Sequence, residues 1–251
     1  MLMMFRVFRL VICSHSPLTR FPPSCYPPVC FPTASTQQFP ISFQRTQATM
    51  PQQRDLIEQI LDDHLEIRAF CKEIQKHRDN PKEAIKWFHQ LTWEVARHSV
   101  AEELVLYPLM EQELGSWGKQ MADDSRADHQ RTKDDLQFLS DASTLEEMQM
   151  HERYVKMADE LLVHLDKEER EDIASLKGVA SPDVLLKAGK DFKRTKHFAP
   201  TRPHPENSMK PLFETPYSLM VAPIDKLRDL FRSFPDHDAV EAVEAKATGH
   251  S

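Results

Sequence analysis

From Arg54 to Leu176 apolar residues recur every three or four positions with polar residues between them, and stretches of alternating β-branched residues are scarce. That period belongs to helices that each bury one face, so the expected fold class is all-α. Asn80-Pro81 with Glu83 reads as a helix start, with a capping residue, a proline in the first turn and an acid near the positive end of the dipole. Thr144 with Glu147 spells a capping box, Gly115 and Gly118 interrupt the pattern between these two starts, and Gly178 ends it. The punctuation predicts four long helices over roughly 53–78, 81–113, 118–141 and 144–177. Short connections between long helices favour antiparallel neighbours, hence an up-down-up-down four-helix bundle.

Beyond Gly178 the pattern changes. Ser181-Pro182-Asp183 starts one more short helix through Lys193, and residues 198–223 are proline-rich and aperiodic. Ile224, Leu227, Leu230, Phe231 and Phe234 then recur at helical spacing, as a last amphipathic helix that can dock on the bundle or on a protein partner. Ala239 to Ser251 reads as a frayed, solvated tail. The expected organisation is therefore a bundle over 50–180, a C-terminal extension over 181–251 with short helices and a proline-rich linker, and an N-terminal segment over 1–49 that is disordered and outside the fold.

The inward stripes carry the chemistry. In the first helix Ile57, Ile60, Leu61, His64, Ile67, Cys71 and Ile74 share a face; in the second, Phe88, Leu91, Val95, His98, Glu102, Val105 and Leu109. The third offers Met121, Ser125, His129, Thr132, Leu136 and Leu139, and the fourth Tyr154, Met157, Leu161, His164 and Glu168. A lone histidine on an apolar face is usually a satisfied core residue, but here each of four helices places one on its stripe. Their distances from the intervening turns bring His64, His98 and His129 to one level, with His164 nearby. His98-Glu102 and His164-Glu168 share a four-residue spacing that leaves the two side chains about 40° apart on the helix, so imidazole and carboxylate converge. Burying two unpaired carboxylates costs several kcal/mol, roughly, and a pair of divalent cations removes that conflict. Imidazoles and bridging carboxylates on facing bundle helices describe a di-iron or di-manganese site, with iron favoured and manganese or zinc compatible with the donors.

The remaining histidines serve as a control. His77, His89 and His151 fall off the stripes, and His197, His204 and His237 lie in the extension, so all are read as surface residues. Glu103 and Glu169, each beside a proposed ligand, are read as solvated partners whose loss is silent, although a bulged fourth helix would present Glu169 in place of Glu168. Cys71 is a small core residue.

Charge and cysteine usage narrow the classes further. The chain's net charge is −7, and Met1 to Met50 contributes Arg6, Arg9, Arg20 and Arg45 without one acid, so the remainder carries −11. Such a body disfavours nucleic acid as the main partner. The basic, acid-free N-terminal segment fits a mitochondrial transit peptide or a stretch ahead of a true start at Met50, and its apolar part is too short to span a membrane. Cys13, Cys25 and Cys30 fall in that segment, which leaves Cys71 alone in the body; a reducing compartment, cytoplasmic or mitochondrial, is expected.

The order His64, His98 with Glu102, His129, His164 with Glu168 resembles the hemerythrin-like HHE cation-binding family, over about residues 54–177. The local text agrees: His98-Ser-Val-Ala-Glu102-Glu103 running into Tyr107-Pro108, and His164-Leu-Asp-Lys-Glu168-Glu169. The resemblance implies a carboxylate-bridged, non-haem di-iron centre that binds dioxygen, peroxide or nitric oxide, or that senses or stores iron. His64 and His98 then serve one iron, His129 and His164 the other, and Glu102 and Glu168 bridge both. Oxygen-carrying hemerythrins use a further histidine one turn before the position of His129, where this chain has Ser125. That departure weakens the case for reversible oxygen carriage. The leading expectation is a metal- and oxygen-binding protein without turnover, ahead of a di-iron oxidoreductase or peroxidase and of a helical interaction module that uses no metal.

Overall fold

In the computed structural model the described residues are 53–140, 152–204, 223, 225, 229 and 232–250. The expectations for residues 1–49, for the Thr144–Glu147 capping box, for His151 and for Ile224, Leu227, Leu230 and Phe231 lie outside them. The regular elements among the described residues are all helical: α1 (Leu56–Lys76), α2 (Pro81–Ala101), a π-turn π1 (Glu102–Leu106), α3 (Tyr107–Ser140), α4 (Glu152–Lys167), a second π-turn π2 (Glu168–Ile173), α5 (Ala174–Lys177), α6 (Pro182–Phe198) and α7 (His237–Thr248). They form the all-α bundle that the pattern predicts, with α1 packed on α2 and α4, and α3 on α4.

The helix ends have local causes. At α1, Asp55 and Glu58 form a reciprocal capping box, Glu58 N–H donating to Asp55 Oδ1 at 2.8 Å and Asp55 N–H to Glu58 Oε2 at 3.1 Å. Asn80 does stand at the cap of α2, but its side chain makes no capping hydrogen bond; Pro81 in the first turn supplies the start. α3 holds a corner at Gly115, whose φ of 62° and ψ of −135° separate the second bundle helix from the third. A side chain is disfavoured at that φ, which is why a glycine stands there.

The two π-turns shift the buried face. Tyr107 N–H bonds to the carbonyl of Glu102, five residues back, so everything that follows is one residue out of phase with α2. Val105 and Leu109, expected on the inward stripe, are only half-buried, and Leu106, Tyr107 and Met110 fill the core instead. The same happens after π2, where Ile173 and Leu176 are buried. Apolar packing consequently falls into two clusters. One gathers Ile67, Phe70, Ile74, Phe88, Leu91 and Leu136 with their neighbours; the other gathers Leu56, Ile60, Leu106, Tyr107, Met110 and Ile173. His64, His98 and His129 lie in the sequence gaps between the two, as does Glu168, while His164 falls between Leu161 and Leu165 at the edge of the first cluster.

The core continues past residue 180. α6 runs to Phe198, beyond the expected end at Lys193, and Leu185, Ala188 and Phe192 join the second cluster. At Gly189 a Cβ would lie 2.8 Å from the carbonyl oxygen of Arg54, so only glycine lets α6 approach the start of α1 this closely; Gln59 Nε2 donates to the Gly189 carbonyl at 3.0 Å. The expectation of a solvated tail after Ala239 is corrected by α7, whose Val240 and Val243 pack on the first cluster. Alanine and glutamate favour helix there, and two valines three residues apart give it an apolar edge too narrow to stand out in the sequence.

His89, expected at the surface, is half-buried beneath the chain that leads into α7. Its Nδ1–H donates to the carbonyl of Ser233 at 2.8 Å, and Phe234, which is not helical, lies with its ring 6.0 Å away. Burial, with smaller contributions from Arg232 and Arg202, pushes the pKa of His89 below its ordinary 6.5. The neutral ring is the form the fold favours, so the contact is fully stabilising above pH 6.5 and is lost progressively as the pH falls below it. Hydrogen exchange at Ser233 and Phe234, corrected for intrinsic rates, is expected to quicken on acidification from about pH 7 to about pH 5, and to lose most of that dependence in His89→Gln. Equal slopes in the two proteins would contradict this account.

Candidate metal centre

Between the two apolar clusters lies a layer of fully or almost fully buried polar side chains: His64 from α1, His98 from α2, Glu102 at the first residue of π1, His129 from α3, His164 from α4 and Glu168 at the first residue of π2. All four imidazoles point Nε2 toward the middle of the layer. His98 Nε2 lies 3.0 Å and His64 Nε2 3.7 Å from Glu102 Oε1, His129 Nε2 lies 3.3 Å from Glu102 Oε2, and His64 Nε2 lies 3.4 Å from Glu168 Oε2. His129 Nε2 and His164 Nε2 face each other at 3.2 Å. The structure thus brings together all six residues singled out by the spacing of the sequence.

Apart from the His129–His164 pair, these atoms are close without being aligned for hydrogen bonds. His64 Nε2, His98 Nε2 and both carboxylate oxygens of Glu102 and of Glu168 are buried and have no hydrogen-bond partner. Orphaned acceptors and imidazole nitrogens that converge on shared points, rather than on one another, fit a cation. Two sets meet the requirement that one donor atom from each residue lie within 4.8 Å of the others: His64, His98, Glu102 and Glu168, and Glu102, His129 and His164. Glu102 belongs to both. Glu168 belongs to the first alone, so its geometry is less symmetric than the two-bridge expectation.

The outer nitrogen of every histidine meets a carboxylate. His64 Nδ1 lies 2.9 Å from Glu169 Oε1, His98 Nδ1 3.1 Å from Asp63 Oδ2, His129 Nδ1 3.0 Å from Glu103 Oε1, and His164 Nδ1 3.4 Å from Asp128 Oδ2. An ionised carboxylate can only accept, so the first three contacts keep the proton on Nδ1 and leave the Nε2 lone pair directed inward, whereas His164 Nδ1, though near Asp128, has no hydrogen-bond partner. Each carboxylate in turn has a cation: Arg68 Nη1 on Glu169 at 2.7 Å, Lys196 Nζ on Asp63 at 2.6 Å, Lys133 Nζ on Glu103 at 2.7 Å, and Arg131 on Asp128. Glu169 accepts from His64 and Arg68, which outweighs partial burial and lowers its pKa to about 2. Burial opposes the charged form of Glu103, yet Lys133 and His129 hold it below the ordinary range.

Glu103 and Glu169 therefore depart from the reading as solvated bystanders. Glu103 is 4% exposed. Both stand off the helical line of their ligand neighbours, but the adjoining helix fills that direction and the carboxylate meets its histidine. Glu168, not Glu169, faces the layer even though π2 bulges the helix there. Spacing along the chain also gave no sign of Asp63, Asp128, Lys133, Arg68, Arg131 or Lys196. The signal that could have found the four carboxylates is adjacency, since each directly precedes or follows a residue of the buried layer in sequence: Asp63-His64, Glu102-Glu103, Asp128-His129 and Glu168-Glu169.

Protons and cations compete for the inner nitrogens. Burial disfavours charging His98, but Glu102 and Asp63 prevail and raise its pKa to about 8; for His129 the same opposition is overcome by Glu102 and Glu103, to about 9. Glu102 is held well below the carboxylate range, since His98, His129 and His64 outweigh its burial. A divalent ion entering this layer releases protons as it binds. Two further groups border it. Tyr107 Oη lies 3.1 Å from His129 Nε2, and Ser125 Oγ donates to Asp172 Oδ2 at 3.0 Å while Asp172 Oδ1 has no partner. Asp172 is 1% exposed, and burial with the nearby charge of Glu168 pushes its pKa up to about 6. On the outer side of His164 a surface cavity of about 250 Å³ is lined by Asp128, Arg131, Thr132, Asp159, Val163 and His164 among others.

The hemerythrin HHE cation binding domain matches residues 55–176. An uncharacterized hemerythrin-like protein of Schizosaccharomyces pombe is 38% identical over 180 residues, which cover 70% of this chain and 86% of that protein. A DNA nickase of Nostoc sp. is 24% identical over 151 residues, 60% of this chain and 42% of the nickase. No solved structure matches. Among the described residues no helix is long and apolar enough to cross a membrane.

Glu103→Ala and Glu169→Ala each remove the acceptor of one histidine's outer nitrogen. Each is expected to weaken binding of a divalent cation by about 10–100-fold, measured in competition with a chelator. Affinities within about twofold of wild type in both variants would show the outer contacts to be dispensable.

Proposed function

This chain belongs to the hemerythrin HHE cation-binding family, and from that premise we propose that it is a metal-binding protein whose bundle holds a non-haem di-iron centre for a small ligand such as dioxygen, peroxide or nitric oxide. The observation that carries the reading is the position of Glu102, fully buried, with both oxygens lacking hydrogen bonds and with one histidine set on each side. In this reading His64 and His98 would hold one iron and His129 and His164 the other, with Glu102, which belongs to both sets, and Glu168 as the carboxylates. Two bound irons would supply redox chemistry toward such a ligand. The chain's own residues do the rest. Glu169, Asp63 and Glu103 hold the rings of His64, His98 and His129 in the tautomer that presents Nε2, the apolar clusters exclude water from above and below, and Tyr107 places an O–H beside the second histidine set. The cavity beside His164 offers a small molecule a path to that edge.

A second reading, a di-iron oxidoreductase or peroxidase, draws support from Asp172. A buried carboxyl with a pKa of about 6 beside Ser125, where oxygen carriers have an imidazole, can hold or deliver a proton at neutral pH. Sustained consumption of hydrogen peroxide with an external reductant, lost in Asp172→Asn, would favour it over simple binding. A metal-free interaction module is disfavoured by the orphaned ligand atoms. Nicking of DNA, the property named for the Nostoc relative, is not carried over, because the residues after Met50 bear a charge of −11 that disfavours a phosphate backbone.

The test is metal analysis with an optical spectrum after expression in iron-replete medium. About two irons per chain are expected, with Glu102→Ala reducing them toward one or none because a bridge serves both positions, while His64→Ala retains more. A wild-type protein free of iron, or a Glu102→Ala variant that keeps its full complement, would remove the di-iron reading.

A further inference from the structure

We infer that α6, which lies beyond the residues matched to the family domain, is a working part of the metal centre, and that Lys196 is the positioning residue through which it acts on His98. The inference rests on the ligand reading given above. Its basis is one shared atom. Asp63 Oδ2 accepts from His98 Nδ1 at 3.1 Å and from Lys196 Nζ at 2.6 Å, so the lysine and the imidazole are tied through a single oxygen.

The surroundings make that tie consequential. Asp63 is 7% and Glu94 3% exposed, and Lys196 also binds Glu94, so one ammonium stands between two buried carboxylates. Arg97 reaches the other oxygen of Glu94 at 3.3 Å but no distance ties it to Asp63. Take Lys196 away and Asp63 faces Glu94 with its charge uncompensated in a poorly solvated space. The least costly relief is for one carboxylate to turn away, and if Asp63 turns, His98 loses the acceptor that holds its ring.

α6 is held in place for this role from two sides. Arg97, stacked 3.8 Å above the Trp93 ring, donates from Nε to the backbone carbonyl of Lys196 at 3.1 Å. One turn earlier Phe192, fully buried, lies edge-on to the His98 ring with centroids 6.2 Å apart and planes at 81°. The same helix therefore walls the ring and anchors its outer hydrogen bond. Arg68, Lys133 and Arg131 serve the other three outer carboxylates from within residues 55–176; Lys196 supplies the fourth cation from outside that span.

Cobalt(II) titration of the metal-free full chain, followed by absorbance and calorimetry, tests the inference, with His98→Ala identifying the binding step to which His98 belongs. Lys196→Met is expected to weaken that step about 10–100-fold and leave the other within about threefold. Lys196→Arg is expected to recover most of the loss. Asp63→Asn should match Lys196→Met, and the double variant should be no weaker than Asp63→Asn alone, since the two residues act in series. Leu185→Ala, buried on the same helix but away from Asp63, lowers the unfolding temperature without a selective loss and separates positioning from mere docking. Equal weakening of both steps by Lys196→Met, additive losses in the double variant, or unchanged binding would each overturn the inference while leaving the ligand reading standing. A wild-type chain that takes up no cobalt would remove both.

Discussion

The fold is organised around the cost of taking four imidazoles and two carboxylates out of water. They form one polar layer between two apolar clusters, and each unpaired carboxylate in such a place costs several kcal/mol, roughly, unless opposite charge or hydrogen bonds compensate it. A bundle that needed only stability would fill this layer with leucine. Instead the inner atoms of Glu102 and Glu168 are left without protein partners, and the compensation is displaced outward to the nitrogens that face away from the centre.

That outward compensation forms a closed circuit. Asp63 of α1 holds His98 of α2; Glu103 of π1 holds His129 of α3; Asp128 of α3 stands near His164 of α4 without a hydrogen bond; and Glu169 of π2 returns to His64 of α1. Each carboxylate is a chain neighbour of a layer residue on one helix and faces the histidine of the next. The four acids are each met by a cation, Lys196, Lys133, Arg131 and Arg68, whereas the two inner glutamates have none of their own. A cation placed there meets an unbalanced charge of about −2, counting neutral imidazoles and ionised carboxylates.

The inner half of this arrangement is legible in the sequence, because helical period and a four-residue His-to-Glu spacing are local properties. The outer half is not. A helical wheel sends Glu103 and Glu169 toward solvent, since it contains no neighbouring helix, and nothing near Asp63 in the chain announces Lys196 more than a hundred residues later. The phase after Glu102 was equally hidden. A five-residue hydrogen bond leaves no mark in composition, so Val105 and Leu109 look inward by count and Leu106, Tyr107 and Met110 are inward in fact. Val240 and Val243 make too thin an apolar edge to distinguish a docked helix from a tail.

The two π-turns begin at the two inner glutamates, and each leaves the helix behind it one residue out of step with the helix before it. In geometric terms each accommodates one residue more than a regular helix of the same length would. Deleting one residue within Glu102–Leu106 would restore a regular helix and turn Tyr107 and Met110 by about 100° away from the core they now fill. An ordinary helix would conserve its hydrogen-bond pattern through such a deletion, whereas this chain would lose its packing below the centre. The reading frame of the core is thus counted from the two buried glutamates themselves.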